Sequence, residues 1–176
     1  MTAYSEDLAG LGRFTLTRLD PVADAPLVHG WVTEPRAEFW GMTDHTLDEV
    51  REVYGFVDSL DTHHAYLMRL DDVPVGIFQT YEPDADPIGE YYPVRPGDFG
   101  IHLFLAPASP PVPGFTGAVA DALLRFVFRD PGRTRIVVEP DARNERALKR
   151  WRRLGFVFGD RVVLPHKTAR LAFLDR

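Results

Sequence analysis

The stretch that most constrains this chain is Gly97-Asp98-Phe99-Gly100-Ile101-His102-Leu103-Phe104-Leu105. Ile101, Leu103 and Leu105 alternate with His102 and Phe104, which is the period-two pattern of a strand. The segment is apolar enough to be buried and carries one ionisable ring in its middle. A Pro-rich turn from Ala106 to Pro113 follows, and Gly114-Phe115-Thr116-Gly117 then opens a long apolar helix. Strand, glycine turn and helix N-terminus in that order form a potential phosphate cradle, fed by a strand that bears a potential base.

The rest of the chain supplies a sheet around that strand. Residues 1–12 read as a flexible leader, and residues 13–176 as one domain. Arg13 to Leu19 alternates as a first strand, and Asp20-Pro21 starts a helix that runs to Trp31. Glu34 to Met42 is a short aromatic turn. Thr46-Leu47-Asp48-Glu49 has the form of a capping box and opens a helix to Leu60. Ala65 to Leu70 and Pro74 to Tyr81 are strands around a hairpin turn at Asp71-Asp72, and Glu82 to Gly97 is a loop. Phe115 to Phe128 is a helix, stopped by Asp130-Pro131-Gly132. Thr134 to Glu139 is a buried strand, and Asn144 to Leu154 is a basic amphipathic helix closed by Gly155. Phe156 to Leu164 and Thr168 to Leu174 close the chain as strands. A hairpin plus a βαβ crossover in one chain predicts an α+β fold, a mixed sheet of about seven strands flanked by about four helices.

Composition narrows the function classes. The net charge is −6, against the basic surplus of a nucleic-acid binder, although Arg143, Arg146, Lys149, Arg150, Arg152 and Arg153 crowd one segment. With no cysteine in the chain, disulfides, thiolate catalysis and cysteine metal sites are excluded together. No apolar run approaches a membrane span, and the first residues lack a signal peptide's basic and apolar regions, so a cytoplasmic location is expected.

Four groups of residues carry potential chemistry. Gly114 and Gly117 at a helix start offer backbone N–H groups and the positive end of the helix dipole to phosphate oxygens, or simply connect strand to helix; the Lys-Ser/Thr ending of a P-loop is absent. His102 is either a structural hydrogen-bonder or a base that titrates near neutrality. Glu139-Pro140-Asp141-Ala142-Arg143-Asn144 ends one strand and leads into the basic helix. Asp141 or Asn144 can cap that helix, and Asp141 can alternatively sit at the mouth of a splayed sheet and orient His102. Among the aromatic residues of the first third, Trp40 is the best candidate for the wall of a ligand site. His63-His64 has no further ligand at metal spacing and reads as a solvated turn.

Together these pieces resemble the GNAT superfamily of acyl-CoA-dependent N-acyltransferases over nearly the whole chain. The match is carried by Phe115 to Asp130, by Arg135-Ile136-Val137-Val138-Glu139-Pro140-Asp141-Ala142-Arg143-Asn144 and by Trp151-Arg152-Arg153-Leu154-Gly155-Phe156. Leu27 to Trp31, Pro35, Phe39-Trp40-Gly41-Met42 and Gly100-Ile101-His102 resemble one subgroup, the acyltransferases of hydroxamate siderophore biosynthesis in aerobactin-, desferrioxamine- and mycobactin-type pathways.

The resemblance implies acyl transfer from acetyl-CoA or succinyl-CoA to the hydroxylamine nitrogen of an N-hydroxy-diamine or N6-hydroxylysine, in a ternary complex and without metal. It implies His102 and Asp141 as catalytic residues. It implies cofactor contacts from Leu103, Phe104, Leu105, Gly114, Phe115, Thr116, Gly117, Asn144, Arg146 and Trp151. Substrate contacts fall to Trp31, Phe39, Trp40, Gln79, Tyr81 and Glu139. The expected partners are the two small molecules, with no nucleic acid or membrane, for a monomer or homodimer. Two departures from the family pattern stand out. Pro111 to Gly117 carries no basic residue where the pyrophosphate loop usually has one, and Trp151 stands where many members have a Tyr acid. An aminoglycoside 6′-N-acetyltransferase, for which Asp84, Asp86 and Glu90 supply an acidic cleft, is the main alternative. A ribosomal-protein-type N-terminal acetyltransferase and a non-catalytic acyl-CoA-binding module are the others.

Overall fold

Every stretch read as a strand is one in a computed structural model that describes residues 1–108 and 110–176. Ser109, within the expected Pro-rich turn, lies outside the described residues. The strands are β1 (Thr2–Leu8), β2 (Gly12–Arg18), β3 (His63–Leu70), β4 (Val73–Tyr81), β5 (Asp98–Leu105), β6 (Arg135–Val138), β7 (Val157–Val163) and β8 (Thr168–Asp175). The described α-helices are α1 (Ala25–Val32), α2 (Leu47–Ser59), α3 (Phe115–Phe128) and α4 (Glu145–Arg153), with 3₁₀ turns at Pro35–Trp40, Pro83–Ala85 and Pro87–Glu90. The sheet has eight strands in the order β1-β2-β3-β4-β5-β6-β8-β7. β5 and β6 pair in parallel, whereas β1/β2, β2/β3, β6/β8 and β7/β8 are antiparallel. This is the expected α+β class with a mixed sheet.

Three local readings are corrected. The eighth strand, β1, lies in residues expected to form a flexible leader; it is polar and buries only Leu8, so backbone pairing with β2 makes it a strand. Helix α1 begins at Ala25 rather than at Asp20-Pro21. Pro26 lacks an N–H and fits only the first turn of a helix, and the Asp20 carboxylate closes the preceding turn by accepting from Val22 and Ala23 N–H. His63 and His64 begin β3 instead of forming a solvated turn. The capping box at Thr46 and Glu49 forms as read, with both reciprocal bonds present. No described helix is long and apolar enough to cross a membrane.

The chain divides into two units, residues 1–80 with 103–122, and residues 81–102 with 123–176. In the first unit, Val28 and Val32 of α1, Val50 and Tyr54 of α2, Ile77 of β4 and Phe104 of β5 share one core. In the second, Tyr81, Ile88, Val137, Leu164 and Leu171 share another. The second unit also encloses a charge pair. Arg135 Nε and Nη2 donate to the two carboxylate oxygens of Asp98, each at 2.6 Å, and Tyr92 Oη and Arg95 N–H donate to the same carboxylate. Burial opposes ionisation of Asp98, but these bonds outweigh it and hold the carboxyl below its ordinary value.

Because both partners sit at the first rung of the β5/β6 ladder, removing one leaves the other's charge buried. Asp98→Ala is expected to destabilise the protein by about 3 kcal/mol or more. Replacing both residues by apolar ones of similar volume is expected to cost less. Urea denaturation of the single and double variants checks both statements.

Candidate active site

The parallel ladder of β5 and β6 pairs Asp98 with Arg135, Phe99 with Ile136 and Gly100 with Val137. Strand side chains repeat on one face every second residue, so the next position on that face is His102 from β5 and Glu139 just past β6. The two meet there. The Glu139 carboxylate can only accept, so His102 Nε2 donates its hydrogen to Glu139 Oε1. The other oxygen, Oε2, is ion-paired with the Lys167 ammonium. Glu139 is 8% exposed and Lys167 16%, whereas His102 is 35% exposed. The imidazole is therefore the member of this group that solvent and a substrate can reach. Burial raises the cost of charge on Glu139, but His102 and Lys167 outweigh it and hold the carboxyl down to about 2.

Tyr81, at the end of β4, lies against the imidazole, with ring centroids 5.0 Å apart and planes tilted by 36°. A Cβ on Gly100 would run into the Tyr81 ring, so the Gly100-Ile101-His102 triplet owes its glycine to that ring. Burial, then the charge of Glu139, push the Tyr81 phenol well above its ordinary value, and it stays neutral at any working pH.

Asp141 is not the partner of His102. Pro140 interrupts the strand, and the Asp141 carboxylate turns back to accept from Arg143 N–H at 2.9 Å, Nε at 3.0 Å and Nη2 at 2.9 Å. Those bonds hold its carboxyl below the ordinary value. The carboxylate that orients the imidazole is thus Glu139, two residues earlier. Lys167 had no expected role. Its signal was long-range: Ala142 N–H donates to Thr168 O, and Arg170 N–H to Pro140 O, each at 2.8 Å, which pins the start of β8 to the exit of β6.

The remaining expected contacts of this unit lie on α4. Asn144 is the N-cap, its side-chain oxygen accepting from Ala147 N–H at 3.1 Å. Arg146 is exposed. Trp151 is buried against Phe156, 5.0 Å between ring centroids, so its indole packs rather than faces solvent.

In the first unit, Phe104 is buried under two indoles. Trp31 stacks on it with centroids 6.4 Å apart, and Trp40 meets it edge-on at 5.3 Å while donating from Nε1 to Tyr54 Oη at 3.3 Å. Phe39 and Gln79 are half-buried, as are Leu103 and Leu105. Arg36 Nη2 donates to the Leu105 carbonyl at 3.0 Å, so that acceptor is already engaged. At the glycine turn, Gly114 has a φ of 75° and Phe115 N–H donates to Val112 O. Regular bonding begins at Ala118 N–H to Gly114 O, which leaves Thr116 and Gly117 N–H without an intrahelical acceptor. A Cβ at Gly114 or Gly117 would meet nothing within 4 Å. First-turn N–H groups of a helix are donors that phosphate oxygens can approach. Among the described residues, no group of three His, Asp or Glu side chains gathers as a metal site.

Residues 20–164 match the family described as an acetyltransferase (GNAT) domain, and the chain belongs to that family. It is 29% identical over 160 residues to the N(6)-hydroxylysine O-acetyltransferase of Escherichia coli, covering 89% of this chain and 50% of that protein. It is 30% identical over 151 residues to the hydroxyornithine transacylase SID3 of Ajellomyces capsulatus, covering 85% of this chain and 34% of that protein. The chain thus spans about half the length of the first relative and a third of the second. Among solved structures, it resembles aminoglycoside acetyltransferase AAC(6′)-Ib in complex with paromomycin and acetyl-CoA, with a TM-score of 0.81, 27% identity and 93% of each chain covered.

A carboxyl held at about 2 in the folded protein, against an ordinary 4.5, stabilises the fold above pH 4.5 and loses that contribution as pH falls toward 2. The full difference is worth about 3 kcal/mol. Stability measured by denaturant at a series of pH values is expected to fall less steeply between pH 5 and 2 in Glu139→Gln than in the wild type.

Proposed function

We propose that this chain transfers an acyl group from an acyl-CoA to the hydroxylamine nitrogen of N6-hydroxylysine or an N-hydroxy-diamine such as N-hydroxycadaverine. The observation that carries the reading is the His102 imidazole, oriented by an ionised Glu139 and open to solvent on its own side. The similarity to relatives named for hydroxylysine and hydroxyornithine supports the acceptor class.

The chemistry needs little else. A hydroxylamine is a weak base and reaches the site neutral at pH 7. Its nitrogen lone pair attacks the thioester carbonyl carbon; a C–N bond forms and the C–S bond breaks. The nitrogen's proton passes to His102, and CoA leaves as a thiolate that takes up a proton from solvent. Trp151 supplies no acid, and the chain has no cysteine for an acyl-enzyme, so transfer is direct between two bound substrates. On this reading the backbone N–H of Leu103, next after His102, faces the developing oxyanion. The first-turn N–H groups of α3 take the pyrophosphate in place of a basic loop side chain. Acetyl-CoA and succinyl-CoA are both candidate donors.

A second reading has its own observation. Asp84, Asp86 and Glu90 line an open hollow of about 430 Å³ together with Ala85, Pro87 and Gly89. Such a surface suits a polycationic acceptor, as in the aminoglycoside enzymes that the chain resembles.

Incubation with acetyl-CoA and, in turn, N-hydroxycadaverine, N6-hydroxylysine and kanamycin separates the readings, with free thiol and Fe(III) complexation followed together. The expected result is thiol release with a hydroxylamine and a coloured ferric complex, because only N-acylation yields a hydroxamic acid. Release without the complex places the acyl group on oxygen. Release with kanamycin alone favours the second reading, and CoA binding without release favours a non-catalytic module. His102→Ala is expected to lower kcat/KM by about 10²-fold or more without abolishing turnover.

A further inference from the structure

The hairpin between β7 and β8 contributes a cation that neither the motif around Glu139 nor the glycine turn accounts for. Leu164 N–H donates to Lys167 O at 2.8 Å and closes a tight turn over Pro165 and His166. The antiparallel bridge from Asp141 to Ala169 then holds the following residues against the exit of β6. The Lys167 side chain lies back over Glu139 and, at 16% exposure, is largely withdrawn from water. A lysine gives up most of its hydration only against a charge that compensates it. Glu139 is that charge, and it is shared: one oxygen goes to Lys167 and the other to His102.

We infer that Lys167 is a positioning residue of the acyl-transfer site, holding the Glu139 carboxylate so that it presents one oxygen to His102 and fixes which imidazole nitrogen carries the hydrogen. This inference rests on the acyl-transfer reading for its function, but its geometry is independent of any substrate.

Charge arithmetic sets the direction of the effect. Glu139 and Lys167 together are neutral, so His102 faces a satisfied ion pair rather than a bare carboxylate. Without the ammonium, the full negative charge bears on the imidazole and favours its protonated form, which cannot act as a base. The other groups that bear on this cluster come from neighbouring elements. Tyr81 of β4 is neutral and packs on His102; Asp86 and Tyr92 act on Tyr81; and Asp141, held by Arg143, itself feels the Lys167 charge. None of these is a second cation on Glu139, so removing Lys167 takes the pair from neutral to a net charge of −1.

Two measurements test the assignment. The first uses the whole protein without substrate. A ring N–H donated to a buried carboxylate gives a far-downfield proton resonance; it is expected in the wild type and absent in Glu139→Gln. In Lys167→Met it should move, and in Lys167→Arg it should return toward the wild-type position. Lys167→Gln serves in place of Lys167→Met if the latter does not fold. The second is the pH profile of kcat/KM with the acceptor that turns over. Its acid limb is expected to move up by about one pH unit in Lys167→Met, to be restored in Lys167→Arg, and to be insensitive to Lys167→Met once Glu139 is already Gln. An unchanged resonance in a folded Lys167→Met protein would overturn the inference, as would a loss of kcat with no movement of the profile. If the resonance behaves as expected but no acceptor is acylated, the positioning geometry stands and the acyl-transfer reading falls.

Discussion

The parallel rung between Gly100 and Val137 is the constraint on which the second unit depends. Register in a sheet acts on every side chain at once: a slip of one residue sends each of them to the opposite face. Here the register is secured at one end by the buried Asp98–Arg135 pair and then delivers His102 beside Glu139 at the other. The Asp98–Arg135 ion pair and the His102–Glu139 pair are thus the two ends of one short ladder. What stabilises the pairing also aligns His102 with Glu139.

Beyond that ladder the polypeptide is shaped by what it must accommodate. Gly100 gives up a side chain so that Tyr81 can lie on the imidazole. Pro140 ends β6, though Asp141 still bridges Ala169 of β8, and the Asp141 and Asn144 side chains turn to the residues that open α4. At the glycine turn of the first unit, Gly114 takes a positive φ of 75°, the conformation that glycine adopts without strain. Of these small-residue positions, Gly100 is explained by a neighbouring ring, whereas nothing crowds Gly114 or Gly117.

Much of this was legible in the residues. Alternation located β2 and β5, the Thr46 box and the Asn144 cap marked helix starts, and Gly155 marked the end of α4. The hairpin and the βαβ crossover carried the fold class, and alternation placed His102 within β5. What escaped had physical causes. β1 is nearly all polar, so its pairing leaves no hydrophobic trace. Pro26 was hidden within a helical pattern that it in fact begins. The resemblance put the carboxylate partner at Asp141, whereas the register between β5 and β6 brings Glu139 to His102. Lys167 is invisible locally, since a lysine in a hairpin turn is ordinarily solvated.

On the proposed acyl-transfer reading, the sharing of Glu139 between His102 and Lys167 also bears on which nucleophiles His102 would meet. With the imidazole neutral, the three groups sum to zero, and the carboxylate has no oxygen left over to draw in an ammonium ion. An ordinary alkylamine, protonated in water, would have to shed its proton before arriving, while an acceptor already uncharged would pay no such toll. On the proposed acyl-transfer reading, a locally neutral cluster of this kind favours an acceptor that arrives uncharged.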